Sequence, residues 1–236
     1  MSRHNGPNIV TNGLVLYLDA ANRQSYPGSG TSWYDVSENG NSGTLTNGPT
    51  FNSANGGSIV FDGVDDYVSI PDNNILDLST QLTIEYVFKF DTPPPGYAYH
   101  IAVKAVDSTV SGANFVDYLL KDYGGVRLMF SGNAGGWKQI SPYSQELNSN
   151  QWYHAIWSYN SSTGGILRVN GILATGGTSG NGTLATNSEP LRIGAQFYGG
   201  HNPLNGDVAY FRMYNRTLTD QEMLQNYNAT KARNGL

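Results

Sequence analysis

From Leu82 to Phe90 the chain alternates with period two, with Leu82, Ile84, Tyr86, Phe88 and Phe90 on one side and Thr83, Glu85, Val87 and Lys89 on the other. Only an extended strand sends successive residues to opposite faces, so this segment is expected to lie as a strand with one face on a core. The theme recurs in shorter pieces. Strands are expected at Gly13–Asp19, Gly43–Asn47, Ser58–Asp62, Tyr67–Ile70, Tyr99–Ala105, Phe115–Lys121, Val126–Ser131 and Trp137–Ile140. The second half adds Trp152–Tyr159, Gly165–Val169, Ile172–Thr175, Leu191–Ile193 and Asp207–Tyr214. Pro93-Pro94-Pro95-Gly96 must be a loop, because prolines cannot donate to a ladder. Val169-Asn170-Gly171-Ile172 reads as a two-residue hairpin, since Asn-Gly accepts positive φ at both positions.

One helix is expected, at the C-terminus, capped by Thr219 with Glu222 three residues on and Met223, Leu224 and Tyr227 on one face. Many short strands, regular turns and one helix specify an all-β antiparallel sandwich. With no linker and no internal repeat, 236 residues fit one domain, 13–236, preceded by a short arm, 1–12. The glycine-rich stretch 176–187 reads as a loop within it.

Charged residues are only 13% and aromatics 12%, with a net charge of −5. A disordered chain would show the reverse balance. The thirteen Lys and Arg are scattered, so no basic stripe for nucleic acid is present. The absence of cysteine removes disulfides, thiolate metal sites and a Cys nucleophile. The opening residues 1–7 contain no apolar stretch of the signal-peptide kind, and no apolar run is long enough to span a bilayer. No membrane insertion is expected, and synthesis in a cytoplasm is.

Four stretches carry a resemblance to a known family. They are Gly13-Leu14-Val15-Leu16-Tyr17-Leu18-Asp19, the run from Trp33-Tyr34-Asp35 to Gly43-Thr44-Leu45, Ile59-Val60-Phe61-Asp62-Gly63-Val64-Asp65-Asp66-Tyr67-Val68, and Asn205-Gly206-Asp207 through Tyr214-Asn215-Arg216-Thr217-Leu218. Gln151-Trp152-Tyr153-His154-Ala155 and Arg168-Val169-Asn170-Gly171 fall between them in the family's order. On these residues the chain resembles laminin-G-like jelly rolls of the concanavalin-A-like lectin/glucanase superfamily. The opening also resembles domains of bacteriophage head and tail appendage proteins. Lectins, adhesion modules, glucanases and virion proteins share this fold, so fold alone does not set function.

The resemblance implies a structural Ca²⁺ held by Asp207 at the start of the last strand, with Asp19 and the Asn39-Gly40-Asn41 turn as further oxygen donors. The alternative is that both aspartates satisfy backbone N–H groups at strand ends. Asp65-Asp66 reads as hairpin-turn chemistry. Retaining glucanases need two carboxylates about 5–5.5 Å apart. Here Glu occurs only at 38, 85, 146, 189 and 222, and Glu85 stands alone on its strand, as a solvated or hydrogen-bonded residue. No catalytic residues are assigned, and no G-x-S-x-G elbow accompanies a histidine. For carbohydrate the candidates are Trp137, Tyr97, Tyr99, Tyr143, Tyr198 and His201, which lie in or beside loops. Trp33, Trp152 and Trp157 are expected to pack, and His154 to be a hydrogen-bonded core or edge residue.

The reading that follows is a non-catalytic virion-surface protein binding host-surface glycans weakly and in many copies. Other virion proteins and further copies of the same chain are its expected partners. The alternatives are a structural decoration module that binds no sugar, and a diverged glycan hydrolase.

Overall fold

A computed structural model describes residues 7–92, 98–105, 115–120, 125–131, 137–140, 147–174, 178–179, 182–195 and 203–236. Two antiparallel sheets face each other. The eight-stranded sheet runs Ile172–Leu173, Gly164–Val169, Trp152–Asn160, Gln81–Phe90, Asn205–Tyr214, Ser58–Asp62, Thr50–Asn52. Its eighth strand, Leu14–Asp19, pairs with the second half of Asn205–Tyr214, while Ser58–Asp62 pairs with the first half. The nine-stranded sheet runs Thr178–Ser179, Trp137–Ile140, Gly125–Ser131, Phe115–Leu120, Ala98–Lys104, Leu191–Ile193, Tyr67–Ile70, Gly43–Thr46, Ser32–Trp33. The expected all-β antiparallel jelly-roll sandwich with one C-terminal helix is what forms.

The core lies between the sheets. Leu82, Ile84, Tyr86, Phe88 and Phe90 all enter it, as the alternation required, and meet Trp157, Phe211, Met213, Val68 and Ile70. Tyr86 and Phe211 stack with ring centroids 6.3 Å apart. The hairpin at Asn170-Gly171 has φ of 49° and 76°, as its residues demand. Gly206 permits close packing of the two central strands: a Cβ there would stand 2.1 Å from the Lys89 carbonyl oxygen.

Three short strands, Ser32–Trp33, Thr50–Asn52 and Thr178–Ser179, carry no alternation long enough to read in advance. A correction concerns the other face of Gln81–Phe90. Thr83, Glu85 and Val87 are as buried as the core residues beside them, because the helix Asp220–Asn234 lies on the eight-stranded sheet.

That helix starts with the expected capping box: Thr219 Oγ1 accepts from the Glu222 N–H, and the Glu222 carboxylate accepts from the Thr219 N–H at 2.8 Å. Such an arrangement stabilises a helix start by about 1 kcal/mol. Its buried stripe, however, is Met223, Asn226, Thr230 and Asn234, with Leu224 and Tyr227 only half-buried. The seam is largely polar because of what it covers. Among the described residues no helix is long and apolar enough to cross a membrane.

Candidate functional site

Under the helix, three strands bring buried polar residues to one point. Glu85 from the central strand, His154 from its neighbour and Tyr210 and Arg212 from the last strand are all essentially inaccessible to water. Glu85 Oε1 accepts from Arg212 Nη1 at 2.8 Å and Tyr210 Oη at 3.1 Å, and lies 3.1 Å from His154 Nε2. Its Oε2 accepts from Asn226 Nδ2 at 2.7 Å. Burial by itself pushes this carboxyl up, but the Arg212 guanidinium and the hydrogen bonds from His154 and Tyr210 bring it down to about 2. Glu85 is therefore a hydrogen-bonded anion that water does not reach.

Arg212 lies between two rings, 4.3 Å from the Tyr17 centroid and 4.1 Å from that of Tyr210. Its Nη2 donates to Tyr17 Oη, which donates to Asp19 Oδ2. Asp19 also holds Arg233 Nη1 of the helix at 2.9 Å. Burial raises the Asp19 carboxyl, yet Arg233, helped by Arg212, holds it below its ordinary value. The arm joins the same assembly. Val10 N–H donates to Asn226 Oδ1, Tyr214 Oη donates to the Val10 carbonyl, and Gln225 Nε2 donates to the Asn8 carbonyl. The arm residues Asn8–Val10 thus dock on their own chain.

The donors expected for calcium do not fit an ion. Asp207 is buried, with Oδ1 accepting from Ser58 Oγ at 2.7 Å and Oδ2 2.8 Å from Lys89 Nζ. Asp19 already faces Arg233. Asn39 and Asn41 turn their Nδ2 groups to the Leu14 and Val15 carbonyls, and Asn41 Oδ1 accepts from Asn73. Gly40 supplies the turn itself, at φ 76°. Two cationic side chains occupy the places where calcium would have to bind, so the aspartates act as ion-pair partners. Asp207→Ala is accordingly expected to lower the melting temperature by the same amount with calcium as with a chelator. A loss seen only in calcium would restore the metal assignment.

Among the described residues one acidic trio gathers, Asp62, Asp65 and Asp66, with ligand atoms within 4.8 Å of one another. Its bonds are those of a turn. Asp66 Oδ2 accepts from the Asp62 N–H and Asp62 Oδ1 from the Val64 N–H. Burial, and then the charges of Asp62 and Asp65, push the Asp66 carboxyl up.

Of the six carbohydrate candidates, Tyr97, Tyr143, Tyr198 and His201 lie outside the described residues. Tyr99 is corrected: it is 2% exposed in the core, with its hydroxyl 3.1 Å from Thr92 Oγ1, and no ring face is left for a sugar. Trp137 begins a strand of the nine-stranded sheet, opposite Ser131 and two residues from Gln139. Gln139 belongs to an unbroken cross-strand row: Ser32, Thr44, Ser69, Arg192, Val103, Val116, Met129, Gln139, Ser179. The row crosses all nine strands and is polar at both ends. Thr44, Thr46, Tyr67 and Ser69 keep solvent exposure there, and the Arg192 guanidinium carbon stands 6.0 Å from the Tyr67 ring centroid. The C-terminal helix packs on the opposite sheet.

The sequence profile of the family described as concanavalin A-like lectin/glucanases superfamily, the Laminin_G_3 type, matches residues 62–223. The chain belongs to this family. Among solved structures, this laminin-G-type domain is similar to the binding domain of Paraclostridial Mosquitocidal Protein 1, with a TM-score of 0.72 and 17% identity over 93% of this chain and 52% of that one. It is also similar to Trypanosoma rangeli sialidase, at a TM-score of 0.68 and 15% identity over 94% of this chain and 33% of that one. The domain thus spans a third of the sialidase and about half of the toxin binding domain. Domain 4 of the extracellular arabinanase AbnA from Geobacillus stearothermophilus, solved with arabinotriose, matches at 0.68 and 18% identity over 91% of this chain and 98% of that one. No curated protein sequence matches. These relatives are a toxin, a sialidase and an arabinanase domain, and none of the three is a virion protein.

Proposed function

We propose that this laminin-G-type domain is a non-catalytic carbohydrate-binding module that uses the outer face of its nine-stranded sheet. The observation that carries the non-catalytic half is Glu85. A glycosidase acid must reach substrate and hold a proton near neutral pH, whereas this carboxylate is sealed beneath the helix and held near 2. For binding, the support is the polar end of the row, Ser32, Thr44, Ser69 and Arg192, with the Tyr67 ring beside Arg192, since sugars take hydroxyl hydrogen bonds and an aromatic face together. The arabinanase domain of matching size was solved with a bound oligosaccharide, which favours sugar as the ligand class. Display in many copies on a virion surface is the finer reading, and it follows from the sequence resemblance. Repetition there would raise avidity by about 10²–10⁴ over a weak single site.

A glycan array on the purified chain tests the reading, followed by titration of the best oligosaccharide. Binding is expected, with Tyr67→Ala and Ser69→Trp each weakening it and leaving the melting temperature near that of the parent. No new reducing ends are expected on incubation with polysaccharide. Release of reducing sugar, or binding indifferent to both substitutions, would overturn it.

A further inference from the structure

Beside the buried network lies a pocket of about 330 Å³, walled by Pro7, Ile9, Tyr17 and Ala229 and reached by the side chains of Arg212 and Arg233. That size is at the small end for ligand sites and suits one ring. Arg233 spends only Nη1 on Asp19. Its Nε and Nη2 have no hydrogen-bond partner, and neither has Arg212 Nε, although all three atoms are shielded from water. Buried N–H groups without partners are costly, and charged ones more so.

The contact of Arg233 with Tyr210, 5.3 Å from ring centroid to guanidinium carbon, is a cation–π contact, and Nε and Nη2 remain without hydrogen-bond partners. Nε and Nη2 are the two parallel donors along one edge of an arginine, the fork that fits both oxygens of a carboxylate. The same chain shows the fork filled: Arg168 Nε and Nη2 each hold an oxygen of Asp220 at 2.7 Å. Arg233 has an equal fork with nothing in it, beside a mainly apolar pocket. Those two donors are shielded from water, so the side chain, 16% exposed, has to turn that edge toward the pocket to admit a ligand.

We propose that this pocket is a second ligand site, which takes one carboxylate-bearing sugar ring and clamps its carboxylate with Nε and Nη2 of Arg233. The apolar walls meet the C–H faces of the ring, and Arg212 supplies positive charge behind the clamp. The choice of a sugar body rests on the carbohydrate-binding reading above, whereas the carboxylate clamp does not.

Titrating the full chain with D-glucuronate, D-glucose, acetate and N-acetylglycine, followed by amide chemical shifts, tests it. Glucuronate is expected to shift resonances of the arm and the helix and to bind about tenfold or more tighter than glucose or acetate. Arg233→Lys, which keeps charge but loses the fork, should weaken glucuronate by at least about tenfold. Ala229→Leu, which fills the pocket without touching the ion pairs, should do the same and covers the case of a poorly folded Arg233→Lys. Glucuronate binding no tighter than glucose or acetate, or unmoved by Ala229→Leu, overturns the site. Preference for N-acetylglycine over glucuronate reassigns the fork to a peptide terminus and also overturns it. Oligosaccharide binding at the sheet face that survives Ala229→Leu leaves the first reading standing whichever way the pocket falls.

Discussion

Replacing Glu85 with alanine is expected to lower the unfolding free energy by about 3–5 kcal/mol, the usual cost of leaving one half of a buried ion pair alone. Arg212 would keep its charge with no anion against it, and Tyr210, Asn226 and His154 would lose their shared acceptor. Glu85→Gln keeps an acceptor oxygen and should cost less. Acid should act through the same group. Its carboxyl falls from an ordinary 4.5 to about 2 in the folded chain, so the unfolded chain binds the proton more readily and acid favours unfolding. At about 1.4 kcal/mol per tenfold change in proton affinity, the contribution is about 3 kcal/mol. It is whole above pH about 4.5 and gone once the pH falls past about 2. Urea unfolding at a series of pH values should show this decline in the parent and flatten it in Glu85→Gln. Parallel curves for the two proteins would remove Glu85 as the cause.

Lys104→Met is expected to cost about 3 kcal/mol. Its ammonium is fully buried and donates to Asp72 Oδ1 at 2.6 Å and to the Asn187 and Glu189 carbonyls at 2.9 Å each, with Asp77 3.2 Å away. One side chain thus ties the strand Ala98–Lys104 to the turn around Asp72 and to the segment before Leu191. Methionine fills the space but leaves two carbonyls without a donor and two carboxylates facing each other. Those carboxylates keep 28% and 20% exposure, so water recovers part of the loss, which places the figure at the low end for a buried pair. A denaturation midpoint within error of the parent would show that water replaces the ammonium entirely.

Strands rich in β-branched and aromatic residues are legible in the sequence, the long ones from alternation and several short ones from the turn residues that bound them. Ser58–Asp62, Tyr67–Ile70, Trp137–Ile140 and Leu191–Ile193 begin and end where the residues predict. The outward side of Gln81–Phe90 was not legible, since alternation says which residues differ and not what covers them. A signal is nevertheless present: Glu85 and Arg212 are charges of opposite sign, each flanked by apolar or aromatic residues on its strand, and two such charges are best explained by each other. The polar helix stripe is illegible in the sequence for the same reason. Asn226 and Thr230 look like surface residues until the charge beneath them is known. The calcium donors are a different case. Asp207 and Asp19 lie at strand ends as expected, but Lys89 and Arg233, distant in sequence, reach them first.

The strand Asn205–Tyr214 borders Gln81–Phe90 along one edge and both Ser58–Asp62 and Leu14–Asp19 along the other. While the chain is being synthesised, the first ninety residues therefore wait for a partner more than a hundred residues away. Until it arrives, the first strand has no neighbour in its sheet and Glu85 no counter-charge. Contacts of such long sequence separation fold slowly and leave strand edges open meanwhile. A ribosome that stalls before Asn205 holds a chain with its eight-stranded sheet split, and the strand Asn205–Tyr214 acts as the latch that commits the whole domain.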